Sequence, residues 1–67
     1  MSIGAFARRV RVGVAVRLLV TTDAPLASVA SDAGFADQSH MGRWLRHYTG
    51  ATPRALREGK RIANTSS

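Results

Sequence analysis

The sequence contains no cysteine, which excludes a disulfide framework and a thiolate metal site. Acidic residues are also few, with four Asp and Glu against ten Lys and Arg and a formal net charge of +6. No run approaches the roughly 18–20 uncharged apolar residues that cross a bilayer, so no membrane span is predicted. The excess of basic residues makes polyanions the natural class of partner.

The chain is short, at 67 residues, which corresponds to one small domain and leaves no room for an enzyme core with a separate substrate domain. Its 45% hydrophobic and 21% charged residues are typical of a globular protein. Asp37, His40 and His47 are joined by no second acidic or thiol ligand, so the sequence offers neither a metal site nor an acid–base pair. We therefore predict no enzyme activity, no metal and no cofactor.

The charge is divided along the chain, with +4 in residues 1–22, −3 in 23–42 and +5 in 43–67, which sum to +6. Two basic segments flank an acidic one, so the fold, not a basic tail, organises the positive field. The N-terminal arginines and apolar run superficially resemble a signal or transit peptide. Arg17 interrupts that run, and removal of about thirty residues leaves a remnant too short to fold, so we expect a cytoplasmic protein.

Caps, glycines and apolar spacing predict four helices, at 3–20, 26–33, 38–48 and 53–59, with fraying over 60–67. Ser2 is the predicted cap of the first helix, and Asp37, or Ala36 just before it, opens the third. Gly34 and Gly50 suit the left-handed position after a helix end. The Asp-Ala-Pro sequence at 23–25 interrupts the chain before the second helix, and the Thr-Pro pair at 52–53 caps and starts the fourth.

Residues 10–16 leave an alternative open. Val10, Val12, Val14 and Val16 alternate with period two around Gly13, a pattern typical of a strand. A strand needs a partner, and no other segment has a strand pattern. We therefore favour a helix, although Gly13 lowers its propensity.

At about 100° per residue, the third predicted helix has an apolar face opposite a basic one. Met41, Leu45 and Tyr48 are predicted to face the core together with Phe35. Trp44 lies at the border, where packing is more typical than base stacking. A solvated surface is the ordinary explanation of a polar face, but such surfaces normally mix charge signs, and this face has no acid beyond the cap. Its residues are Ser39, His40, Arg43, Arg46 and His47.

Two short helices joined through Gly-Phe-x-Asp, the second polar at its start and basic along its length, have the layout of a helix-turn-helix. The N-terminal residues of such a second helix reach base edges in the major groove, where Gln38 suits adenine and Arg43 suits guanine. The predicted base contacts are Gln38, Ser39, His40 and Arg43, and the predicted phosphate contacts are Arg46, His47 and Arg54.

A set of residues in this chain resembles the second helix-turn-helix of AraC/XylS-type transcription regulators. The family pattern is an Ile-Ala turn, Gly-Phe, Ser-x-Phe, Arg, Phe-Lys and then Gly-x-Thr-Pro-x-x-Tyr-Arg. The matching positions are residues 29–41 together with Arg43, Leu45, Arg46, Gly50, Thr52, Pro53 and Arg57. The N-terminal segment also resembles the end of the family's first helix-turn-helix and its long linker helix, through Met1, Ser2, Ile3, Phe6, Arg8, Arg9, Arg11, Ala15, Leu18 and Leu19.

The resemblance implies a small all-α domain with one helix-turn-helix preceded by a long linker helix, a homeodomain-like arrangement of three or four helices. It divides the chain into a linker helix at 1–22 and a helix-turn-helix unit with its closing helix at 23–59. Residues 60–67 are polar and have no apolar periodicity, so we expect a disordered tail there. The resemblance implies sequence-specific binding of double-stranded DNA, with residues 38–48 in the major groove. The family's first recognition helix and effector domain are not matched, so operator and effector are not implied.

The first predicted helix is apolar on two sides, and we expect a contact on each. One stripe holds Ile3, Phe6, Ala7, Val10, Val14 and Leu18, and the other holds Ala5, Val12, Val16 and Leu19. The later helices can cover one stripe, and exposing the other costs about 1.5–3 kcal/mol per large side chain. We therefore expect self-association, a first helix-turn-helix or another partner chain at the uncovered stripe, or marginal folding.

Two alternatives to DNA binding stay open. The first helix could bind an anionic membrane surface or a partner helix as a basic amphipathic segment. Its arginines scatter around the helix, however, which argues against a membrane role. The chain could also be a truncated reading frame with no independent activity.

Overall fold

Four helices form in the structure, a computed structural model that describes residues 3–66 and the side chains of residues 3–59. In chain order, α1 spans Ile3–Thr21, α2 Leu26–Asp32, α3 Gln38–Thr49 and α4 Pro53–Ser66. Residues 3–66 contain no strand, so the alternating valines lie in a helix. The prediction of an all-α domain is confirmed. The predicted cap at Ser2 lies outside the described residues.

The three later helices pack on α1, which contacts α2, α3 and α4. The buried residues of α1 are Val12, Ala15 and Leu19, which share one face because they lie three or four positions apart. The side chains that meet this face come from α2, from the turn after it and from α3. They are Val29, Ala30, Ala33, Phe35, Met41 and Leu45.

The other side of α1 is an open apolar stripe, formed by Ile3, Phe6, Val10 and Val14. These side chains are exposed, from 39% at Val14 to 88% at Ile3. The two-sided pattern in the sequence thus corresponds to one covered face and one open face. The expectation of a partner at the open stripe stays a prediction.

Arg57 of α4 closes the C-terminal end of α1. Its Nε donates to the carbonyl oxygen of Leu19 at 3.2 Å, and its Nη2 donates to the carbonyl oxygen of Thr22 at 3.2 Å. Carbonyl groups at a helix end lack partners within the helix, and a cation there complements the helix dipole. Because α1 has no basic residue in its own last turn, Arg57 supplies this charge from another helix.

The turn between α2 and α3 is a Schellman-type helix end centred on Gly34, whose φ is +89°. The N–H of Gly34 donates to the oxygen of Ser31 at 3.1 Å, and that of Phe35 to the oxygen of Ala30 at 2.9 Å. Phe35 then enters the core. A Cβ at position 34 would lie 3.3 Å from Nε of Arg11, so the side chain of Arg11 covers this turn. The predicted left-handed role of Gly34 is confirmed.

α4 continues to Ser66, past its predicted end at residue 59. Glycine ends a helix when its backbone turns left-handed, as at Gly34 and Gly50, and among the described residues those two glycines alone have positive φ. Gly59 keeps the helical conformation, so the prediction that the helix ends there is wrong. The division of the chain into linker, unit and tail stays a prediction, and Ser67 lies outside the described residues.

We predict that Gly34→Ala lowers the free energy of unfolding by about 1–2 kcal/mol, because the left-handed backbone disfavours any Cβ. The matched control is Gly13→Ala in the exposed middle of α1, where an added Cβ meets nothing within 4 Å. This control should raise stability by about 0.5–1 kcal/mol. Urea unfolding followed by far-UV circular dichroism measures both, and a shift of the two midpoints in the same direction would contradict the assignment.

Candidate nucleic-acid interface

α3 begins at an aspartate cap. Oδ1 of Asp37 accepts the backbone N–H of His40 at 2.8 Å, and the Asp37 carbonyl accepts the N–H of Met41 at 3.1 Å. The carboxylate also lies at the positive end of the helix dipole. Of the two cap positions that the sequence left open, Asp37, not Ala36, caps the helix.

The inner face of α3 consists of Met41 and Leu45, both fully buried as predicted. Tyr48 is 37% exposed, so its predicted burial in the core is wrong. It lies one turn past Leu45, the last buried residue of the helix. Its ring packs along the helix instead, with centroids 6.2 Å from Trp44 and 5.1 Å from His47. The helical period predicts the direction in which a side chain points around the helix axis. It does not predict how far along the helix the neighbouring core residues reach.

The outer stripe of α3 consists of Ser39, Arg43 and Arg46, which share a face at the spacing i, i+4 and i+7. All three are exposed. Arg46 and the exposed His47 lie in the last turn, where a basic side chain complements the negative end of the helix. The outer stripe therefore presents a hydroxyl group and two guanidinium groups on the side opposite Met41.

α4 starts beside the first turn of α3. Thr52 is its cap, as predicted, and its Oγ1 accepts the N–H of Ala55 at 3.0 Å. Arg54 follows in the first turn and is exposed.

A groove of about 360 Å³ separates the first turns of α3 and α4. Gln38 and Ser39 line it from α3, and Arg54 lines it from α4. Gly42 and Pro53 approach each other in the same groove, since a Cβ on Gly42 would lie 3.7 Å from Cδ of the proline. The structure thus brings together three of the predicted DNA contacts from two helices.

His40 is half-buried on the flank of α3 and is not part of the outer stripe. Its Nε2 accepts the indole N–H of Trp44 at 3.2 Å, and its ring meets that of Phe35 edge-on at 5.7 Å. The guanidinium carbon of Arg8 lies 4.2 Å from the centroid of Trp44. The structure therefore confirms the packing role of Trp44 and separates His40 from the other predicted base contacts. In the sequence, this contact is indicated by the i, i+4 spacing of His40 and Trp44, which places the two side chains next to each other on a helix.

Within residues 3–59, no group of three or more His, Cys, Asp or Glu side chains is placed to hold a metal ion. None of the helices in the described part of the chain combines the length and apolarity that a membrane crossing requires.

A family model described as a helix-turn-helix domain matches residues 1–59. The chain belongs to the AraC-type helix-turn-helix family. The family consists of DNA-binding domains. Membership of it supports a DNA-binding function of the transcription-regulator type. Comparisons with curated proteins and with solved structures find no match. In this helix-turn-helix domain, α2 and α3 with the turn at Gly34 form the motif, and α1 and α4 support it.

The capping role of Asp37 at the start of α3 is tested by its effect on stability. Asp37→Ala should lower the free energy of unfolding by about 0.5–2 kcal/mol, whereas Asp37→Asn should retain most of the stability because its amide oxygen can still accept. Asp32→Ala is the matched control, since Asp32 lies at the C-terminal end of α2, where an acid opposes the dipole. Thermal unfolding measures all three variants, and an equal loss in Asp32→Ala would argue against a capping role.

Proposed function

We propose that the chain is a sequence-specific DNA-binding unit of a transcription regulator and that α3 lies in the major groove. The observation that carries this proposal is the outer stripe of α3, Ser39, Arg43 and Arg46, opposite the buried Met41 and Leu45. The major groove admits a helix, and its bases are read by side chains that a rigid support directs outward. The net charge of +6 favours the same partner.

Gln38, Ser39 and Arg43 are the proposed base-reading residues. The amide of Gln38 can make two hydrogen bonds to adenine, and the guanidinium of Arg43 can make two to guanine. All three are exposed in the N-terminal half of α3, the part of a recognition helix that reaches base edges. His40 belongs to the same half, but its ring already accepts from Trp44, and no base contact is assigned to it.

Arg46, His47 and Arg54 are the proposed phosphate contacts. Arg46 and His47 end α3, and Arg54 begins α4 across the groove from Gln38, so the three lie on both sides of the base-reading residues. Phosphate contacts fix the register and orientation of a protein on the duplex. This assignment makes the chain a binding module and gives it no enzymatic step.

The two classes of contact are separable by substitution. Arg43→Ala should relax base preference at one position and cost about 1–3 kcal/mol on the preferred duplex, because a bidentate base contact is lost. Arg46→Ala should weaken binding to all sequences alike. A duplex selected by the chain from a random pool, its single-base variants and a random duplex are compared by fluorescence anisotropy. Equal losses on selected and random duplex for both variants would contradict the roles.

Salt dependence tests the class of partner. Arg46, His47 and Arg54 together with further arginines of the chain, about four to six phosphate contacts in all, should give a slope of log affinity against log salt of roughly −4 to −5, at about −0.9 per contact. Vesicles of phosphatidylserine and phosphatidylcholine form the parallel arm, and no binding to them is expected. Ordering of α1 on these vesicles without any duplex binding would support the alternative of a membrane-surface segment.

A further inference from the structure

The flank of α3 that faces α1 carries two successive contacts, which join Arg8 to Trp44 and Trp44 to His40. We infer that His40 is a positioning residue, not a base-contacting one, and that these contacts fix the first turn of α3 relative to α1. The inference rests on the proposed function, since this turn carries the proposed base-reading residues.

The first link joins α1 to α3. The guanidinium carbon of Arg8 lies 4.2 Å from the centroid of the Trp44 ring, and both side chains are half-buried. A cation over an indole face is attracted by the ring quadrupole, more strongly when it is partly withdrawn from water. Trp44 is thereby held between α1 and its own helix, with its N–H directed along α3 toward the preceding turn.

The second link joins Trp44 to the turn between the two helices of the motif. The indole N–H donates to Nε2 of His40 at 3.2 Å. The imidazole ring meets Phe35 at 5.7 Å with an interplanar angle of 81°, a favourable edge-to-face geometry. Phe35 is a core residue, and the backbone N–H of His40 is the group that Asp37 caps. His40 therefore contacts the core, the cap and the second turn of α3 at once.

The hydrogen bonds of His40 predict its tautomer. Nδ1 lies 3.4 Å from the backbone nitrogen of Ala36, so both ring nitrogens face donors, yet a neutral imidazole accepts at one nitrogen only. The contact with Trp44 is the shorter, and a half-buried indole N–H needs a partner, whereas the N–H of the exposed Ala36 can bond to water. We therefore expect the neutral imidazole of His40 to carry its proton on Nδ1, with Nε2 occupied by the indole N–H of Trp44 and the N–H of Ala36 bonded to water.

A base-reading residue and a positioning residue respond differently to substitution. If His40 read a base, its removal would abolish preference at one base pair, and Trp44 would have no part in that preference. A positioning residue acts through Gln38, Ser39 and Arg43, so its loss weakens their contacts together. The loss of the Trp44 hydrogen bond should then have the same effect as the loss of His40.

The contact itself is tested on the full chain without DNA. Long-range ¹⁵N–¹H correlation spectra report which imidazole nitrogen of His40 carries the proton. We expect the Nδ1–H form in the wild type and a mixture of tautomers in Trp44→Phe, which keeps a ring but removes the donor. Tyr48→Phe is the matched control in the same ring cluster and should leave the tautomer unchanged. An Nε2–H form in the wild type, or an unchanged tautomer in Trp44→Phe, would overturn the inference.

The positioning role is tested on the duplex selected by the chain and its single-base variants. Trp44→Phe and His40→Ala should each lower affinity by roughly 2- to 12-fold, the range for one hydrogen bond. The double variant should lose no more than either single one, and the preferred base at every position should stay the same. Loss of preference at one base pair in His40→Ala alone would overturn the inference. Equal affinity of the wild type for selected and random duplexes would refute the proposed function, and the tautomer would still decide whether the contacts exist.

Discussion

The packing of the later helices on α1, with Leu19, Val29, Met41 and Leu45 fully buried in the shared core, is the interaction on which the rest of the domain depends. α2 has seven residues and α3 has twelve, and isolated helices shorter than about 12–15 residues are marginal in water. These helices therefore owe their order to packing on α1. Since the core is small, caps and turns at the helix ends contribute much to fixing where each helix begins and ends. The Asp37 cap and the turn at Gly34 orient α3 before any base is contacted.

Features of the fold that depend on neighbours in sequence could be predicted from the sequence. The positions of Met41 and Leu45 follow from the helical period, and the roles of Gly34 and Asp37 follow from the chemistry of helix ends. The extent of Tyr48 burial could not be predicted, because it depends on how far the neighbouring helices reach along α3. Gly59 shows the same limit, since a glycine marks a helix end only when the surrounding chain turns it left-handed.

The candidate site also has some features that the sequence predicts and others that depend on the assembled fold. The outward direction of Arg43 and Arg46 follows from the period of α3 alone, and the sequence predicts it. His40 lies at the edge of the polar face by angle, and its direction is decided by two aromatic partners, one of them across the turn. The contact of Arg8 with Trp44 depends on how α1 crosses α3, which no local pattern encodes. Arg57 is part of the family pattern, yet its partners, Leu19 in α1 and Thr22 just after it, are known only from the assembled fold.

The closure of α1 by Arg57 links two helices that lie far apart in the chain. The carbonyl groups that it binds belong to residues 38 and 35 positions earlier in the chain. In the chain, Arg57 follows both α2 and α3, so the arginine that binds the end of α1 comes from the last helix of the described residues. Removal of α4 would therefore leave the carbonyl groups of Leu19 and Thr22 without this partner, so the C-terminal end of α1 is complete only when α4 is packed beside it.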